Sequence, residues 1–166
     1  GMGTPPTANY VITSTIAAPA IILLVAPELS AHLFVFYFGI LADITPPVAL
    51  AAFAAAGVSG GEPIKTGVNA AKLAIAAFII PYMFVLSPEL LMIDTTIPEL
   101  LWVVFTAVTG MIAIGAGIIG YWFRRMYAIE RLVAVAAGLM LIYPEGMTDI
   151  IGLITFIVLI GLQFFV

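Results

Sequence analysis

Charge is what this chain has least of. Only 8% of its 166 residues are Asp, Glu, Lys or Arg, while 64% are hydrophobic and the mean hydropathy is +1.26. Soluble domains carry about a quarter charged residues, so a water-soluble globule is excluded and most of the surface must meet lipid or lipid-embedded protein. Cysteine is absent, which rules out disulfides and thiolate metal sites without fixing the compartment. Histidine occurs once, at His32, and acids are few. No Ser-His-acid set, HExxH helix, P-loop or dinucleotide fingerprint is present. Hydrolytic, metal-dependent or ATP-driven chemistry therefore has little to work with; no enzyme, no metal centre and no nucleic-acid partner is expected. The opening "GMGTPP" also lacks the basic, apolar and cleavage regions of a signal peptide.

What the chain does have is long apolar runs. The first, Ala8 to Ala26, stops at "PELS". The second, Ala31 to Val58, is interrupted at Thr45-Pro46-Pro47 and followed by the polar link "SGGEPIKTG". A third runs from about Ile64 to Leu86, with Pro81 near its far end, and leads into the loop "SPELLMIDTTIPE". The fourth is Leu100 to Phe123, the fifth about Tyr127 to Tyr143, and the sixth Ile150 to Val166. At ~1.5 Å per residue, about 20 residues cross the hydrocarbon, so the third to sixth can each span, the last two only just. An all-α integral membrane protein follows, with no soluble domain and no disordered tail.

The few charges orient it. Lys65 and Lys72 open the third segment, and Arg124, Arg125 and Arg131 lie between the fourth and fifth. The alternate loops hold acids: Glu89, Asp94 and Glu99, then Glu145 and Asp149. The positive-inside rule places residues 60–72 and 124–131 in the cytoplasm. The second segment then enters from outside near Glu28 and leaves inside near Glu62. The first has its far end outside, at Pro27-Glu28, and an uncharged near end, "GMGTPPT".

Thr-Pro-Pro occurs twice, from Thr4 and from Thr45, each time before an apolar helix-forming run. Proline removes backbone donors, so each copy frees carbonyls upstream and amides downstream. Two such breaks in neighbouring segments suggest facing half-helix starts, whose dipole ends hold ions and anionic groups in secondary transporters. Gly1 and Gly3 allow an open backbone, and Thr4, Thr7 and Thr45 supply hard hydroxyl oxygens. Prolines also merely kink membrane helices, and on spacing alone kink and site stand as alternatives.

At these residues the sequence resembles a known family. "GMGTPPTANYVI" and "AHLFVFYFGILADITPPVALAAFAAAGVSG" look like the C-terminal part of the large membrane subunit of tripartite ATP-independent periplasmic (TRAP) transporters. The nearest likeness is to the fused-subunit branch working with TAXI-type binding proteins. Similarity continues through "PYMFVLSPELL" and, more weakly, to "DIIGL". The resemblance implies an elevator-type, sodium-coupled permease of the inner membrane. It would import organic acids, C4-dicarboxylates among them, delivered by a periplasmic substrate-binding protein. Its large subunit has two inverted repeats, each with a re-entrant hairpin and a broken helix. Residues 1–61 would then hold the second hairpin tip, its return arm and the broken helix, and 62–166 about four further transmembrane helices. The first repeat and the small-subunit helices would be partners outside this chain, which is expected to be a fragment opening mid-hairpin.

In that scheme sodium, the coupling ion and sole cofactor, would be held at the hairpin tip by Gly1, Gly3 and Thr4. Carbonyls of Ala42 and Val48 with the Thr45 hydroxyl would complete the site from the break. Thr7, Asn9 and Pro46 are the candidates for the substrate carboxylate, because helix N-termini attract anions. The family pattern differs here in two places: hairpin tips often read Leu-Pro-Thr-Thr, and a glycine is common where Ala42 stands. Two other readings stay open: another ion-coupled or channel-like permease lacking a binding-protein partner, and a non-transporting assembly protein whose helices would bend but continue through Thr45.

The remaining polar residues have plainer expectations. Asp43 is an intramembrane acid, hence a candidate for ion or proton relay or for capping the break. His32 reads as an anchor or cap near the outer interface, Glu130 and Arg131 as surface charge, and Lys65 and Lys72 as topology signals. Ala113/Gly117 and Ala116/Gly120 have small-residue spacing for close helix packing. Trp102, Trp122, Tyr121, Tyr127 and Tyr143 lie near segment ends, as an aromatic belt requires.

Overall fold

Proline and glycine decide most of the helix boundaries. A computed structural model of the chain describes residues 4–24 and 26–165. Among them the regular elements are helices, apart from a single bridge between Tyr121 and Arg125. In chain order they are α1 (Pro6–Ile22), α2 (Glu28–Leu41), α3 (Leu50–Ser59), α4 (Pro63–Leu73), α5 (Ile75–Leu86), a 3-10 turn (Pro88–Leu91), α6 (Ile97–Ile119), α7 (Ala128–Ile142) and α8 (Gly146–Phe165). α1, α4 and α6 carry proline in their first turn, where no N–H is needed. Thr96 and Glu99 close a capping box on α6, the Thr96 N–H donating to Glu99 Oε2 over 3.0 Å. Gly60 and Gly120 end α3 and α6 at φ 70° and 78°, a left-handed conformation that costs glycine least.

The second segment breaks where expected, but over the wider stretch 42–49. The third, expected as one run, is interrupted at Ala74 (φ −87°, ψ 14°), where the sequence carries no breaker. The fourth, expected to reach Phe123, stops at Ile119. The apolar pattern continues into Trp122 and Phe123, yet Gly120 turns the chain and Arg131 takes the last carbonyls, its Nε and Nη2 donating to Gly117 and Ile118 over 2.8 Å each. The sixth begins earlier than expected, at Gly146.

Pro63–Leu86, Ile97–Ile119 and Gly146–Phe164 are long and apolar enough to cross a bilayer. The 15 residues of α7 rise about 22 Å, short of a hydrocarbon core of roughly 30 Å. This is a multi-pass membrane protein.

Residues 1–85 and 86–166 form two compact units. In the first, α1 and α2 make an antiparallel hairpin over Ala18, Ala31 and Val35, flanked by Tyr10, Ala17 and Ile21. α3 and α4 form a second pair. There Gly67 lets α4 approach closely: a Cβ on it would lie 3.2 Å from Pro46 Cγ and 3.5 Å from Ala49 Cβ.

In the second unit α7 packs on both α6 and α8. A Cβ on Gly138 would fall 2.5 Å from the Gly110 carbonyl oxygen, and one on Gly117 2.8 Å from that of Arg131. The small-residue stretch of α6 is thus used for close packing, with Gly120 serving as its cap instead. Arg131 is exposed, as the sequence suggested, but Glu130 is not the surface charge expected. Glu130 is 14% exposed and bonds Arg124 Nη2 at 2.8 Å, while Gln163 Nε2 donates to it over 2.9 Å. The Arg131 guanidinium is the α6 cap described above. Trp102 does more than mark an interface, since its indole N–H donates over 3.1 Å to the buried Asp149 carboxylate in the first turn of α8.

Candidate functional site

An α-helix passes each carbonyl to the N–H four residues on, and Pro46 and Pro47 have none to offer the carbonyls of Ala42 and Asp43. α2 accordingly ends at Leu41. The chain turns tightly instead, with the Asp43 N–H donating to Ile40 and the Ile44 N–H to Leu41, each over 3.2 Å. It re-enters a helix through Ala49, whose φ of 38° is left-handed. For a residue with a Cβ that conformation costs about 1–2 kcal/mol. One bond straps the two halves together, from the Ala51 N–H to the Asp43 carbonyl over 3.1 Å. Among the described residues, the carbonyls of Ala42, Ile44, Pro46, Pro47 and Val48 accept no hydrogen bond. The backbone is interrupted here rather than bent.

Thr45 and Asn9 furnish the side-chain oxygens. The Thr45 hydroxyl donates to the Leu41 carbonyl over 2.6 Å, which spends its proton and leaves its lone pairs for a ligand. Asn9, near the start of α1 and 3% exposed, donates through Nδ2 to the Gly39 carbonyl over 3.1 Å. That bond holds the α1 start against the last turn of α2, just before the break. Asn9 Oδ1 is buried without a hydrogen-bond partner, a state that costs about 1–3 kcal/mol if nothing satisfies it. Thr13 fixes the adjacent backbone by donating to the Asn9 carbonyl over 2.7 Å.

These groups border a cleft of about 370 Å³ within the first unit. The lining is mostly apolar, with Phe34, Phe38 and Phe78 as an aromatic wall, and Asn9, Thr13 and Thr45 bring polar side chains to it. Of the expected residues, the cleft brings together Asn9, Ala42 and Thr45. Val48 is half-buried within the break, its carbonyl uncommitted. Pro46 packs toward Gly67 on α4 and does not line the cleft. Thr7 is exposed in the first turn of α1, whose start no side chain caps. Thr4 is half-buried and has a polar or ring partner. Gly1 and Gly3 lie outside the described residues.

Asp43 is half-buried, and its carboxylate makes no hydrogen bond or ion pair among the described residues. His32 is half-buried, and its Nδ1 lies 2.9 Å from the Tyr10 hydroxyl. The aromatic wall was missed by reading the sequence, although Phe34 and Phe38 at i, i+4 were its available signal.

No group of three His, Cys, Asp or Glu side chains suited to a metal occurs among the described residues. Uncharged carbonyl, hydroxyl and amide oxygens are what this arrangement offers, a donor set suited to hard cations. No curated protein and no solved structure matches the chain. Residues 1–100 match the family described as "Tripartite ATP-independent periplasmic transporter, DctM component". That match covers more than half of the sequence, including α1, the break and the cleft. The chain therefore belongs to the DctM-component family of tripartite ATP-independent periplasmic transporters.

Proposed function

We propose that this chain is the C-terminal part of a sodium-coupled permease that imports organic acids handed over by a periplasmic substrate-binding protein. The observation that carries the reading is the interrupted helix at 42–49, with carbonyls uncommitted among the described residues and with Ala42 and Thr45 lining a largely apolar cleft beside Asn9 and Thr13. Irregular backbone at membrane depth is tolerated where it lines a protein-covered or wet cavity, and broken helices supply ion sites in secondary transporters. In this reading the carbonyls of Ala42 and Val48 and the hydroxyl of Thr45 ligate sodium together with the tip residues Gly1, Gly3 and Thr4. Thr7, Asn9 and Pro46 lie toward the substrate carboxylate. Residues 1–61 belong to the moving transport part and 62–166 to the C-terminal helices. A first inverted repeat and small-subunit helices, in the TAXI-type fused arrangement, complete an elevator in the inner membrane. Residues 60–72 and 124–131 face the cytoplasm, in keeping with their lysines and arginines.

Replacing Thr45 tests the ion site. Thr45→Val in the complete transporter removes one ligand oxygen. Uptake assays should show half-maximal sodium activation shifted about tenfold upward, the equivalent of roughly 1.4 kcal/mol, with the substrate KM at saturating sodium little changed. Thr45→Ser keeps the oxygen and should behave as the parent. Unaltered sodium activation in Thr45→Val would remove this residue from the site.

A further inference from the structure

Of the three arginines that follow α6, only one has an acid beside it. The chain leaves α6 at Gly120 and turns back at once, the Met126 N–H donating to the Gly120 carbonyl over 3.0 Å. Arg124, within this turn, is neutralised by Glu130, whose Oε1 lies 2.8 Å from its Nη2. Glu130 has nothing left to offer, because its Oε2 already accepts from the Tyr127 N–H and from Gln163 Nε2. Arg125 is exposed, and its side chain makes no hydrogen bond or ion pair among the described residues. Arg131 is exposed too and bonds only the neutral carbonyls of Gly117 and Ile118, through Nε and Nη2, so its Nη1 donors remain. A Cβ on Gly120 would lie 3.0 Å from Arg131 Nε, which sets this guanidinium against the same turn that carries Arg125.

The second unit cannot supply the missing counter-charge. Its other acids are Glu89, Asp94, Glu99, Glu145 and Asp149. They precede or open α6, or lie between α7 and the first turn of α8, at the helix ends remote from the arginines. The 23 residues of α6 alone rise about 34 Å. Around the arginines the surface is apolar instead: Tyr121, Phe123, Tyr127, Ile129 and Leu132 are each more than half exposed.

We infer that this turn is a headgroup site for an anionic phospholipid, whose phosphate is held by the Arg125 guanidinium and the remaining donors of Arg131. Guanidinium presents parallel N–H donors that match phosphate oxygens, and basic clusters at the ends of membrane helices attract anionic headgroups. A zwitterionic headgroup would bring its own ammonium and leave the two cations unbalanced. The exposed aromatic and aliphatic side chains beside them suit an acyl chain, which a free anion lacks. The inference requires that α6, α7 and α8 are embedded in a bilayer and is independent of sodium coupling, substrate and leaflet.

The test places the complete transporter in phosphatidylcholine liposomes doped with phosphatidylglycerol that carries a photoreactive group at the head of one acyl chain. After illumination, peptide mass spectrometry should find the label within residues 121–132, and a matched phosphatidylcholine probe should label them several-fold less. Arg125→Gln should lower phosphatidylglycerol labelling there by about fivefold, the effect of one cation at a lipid surface, with the melting temperature unchanged because the side chain bonds nothing. Arg125→Lys, which keeps the charge, should retain most of the labelling. Equal labelling by the two probes, no labelling of 121–132, or undiminished labelling in Arg125→Gln overturns the inference. So does loss of the label on adding inorganic phosphate, which would make the turn a site for a small free anion.

Discussion

Asn9 illustrates how much one side chain decides in an apolar chain. Its Nδ2 is committed to the Gly39 carbonyl, while its Oδ1 is buried in the cleft wall with no partner. The two atoms make separable predictions. Asn9→Leu preserves volume and loses one hydrogen bond, so the unfolding free energy should fall by about 1–2 kcal/mol, measurable in detergent by thermal or denaturant unfolding. If Oδ1 serves a transported ion or acid, uptake by the complete transporter should fall far more than the folded fraction does. Uptake that simply follows the amount of folded protein would assign Asn9 to structure alone. Thr45 differs in kind, because its single proton already goes to Leu41 and its lone pairs are what remain.

At the scale of elements, close backbone approach holds α6 and α7 together, since lipid tails give apolar helices no hydrophobic reason to associate. A methyl on Gly138 would meet the Gly110 carbonyl oxygen and Ile114, whereas one on Gly115 meets nothing within 4 Å. Gly138→Ala should therefore destabilise by about 1–3 kcal/mol, and Gly115→Ala should be neutral or gain up to about 1 kcal/mol in helix propensity. Unfolding of both variants in one detergent checks the ordering. Arg131→Met should uncap α6 at Gly117 and Ile118, a loss of about 1.5–3 kcal/mol for hydrogen bonds from a charged donor. This capping was illegible in the sequence because it joins residues 13 and 14 apart in chain once α7 has folded back. The Gln163–Glu130 bond, spanning 33 residues, was hidden for the same reason. The break at Thr45-Pro46-Pro47 was legible because a missing donor is a local property. Its full width was not, since Ala49 adopts a left-handed φ that alanine does not announce. The interruption at Ala74 carries no glycine or proline at all.

For the whole molecule, the open physical question is which loops share a side of the membrane, and α7 makes it sharp. Charge placement puts the Arg124–Arg125 turn and the Glu145 turn on opposite faces, yet the helix joining them has only 15 residues. Interfacial tyrosines at its ends, Tyr127 and Tyr143, and snorkelling of flanking charges are the usual means by which a short helix spans. These 166 residues contain no cysteine, so single substitutions report position without background from this chain. Glu62→Cys and Arg125→Cys should react with a membrane-impermeant maleimide from the cytoplasmic face, and Thr95→Cys and Glu145→Cys from the other. Glu62 and Arg125 are exposed, so their replacement perturbs little. The pair at Arg125 and Glu145 is decisive: labelling of both from one face would mean that α7 does not cross. Opposite labelling would make α7 a span despite its length.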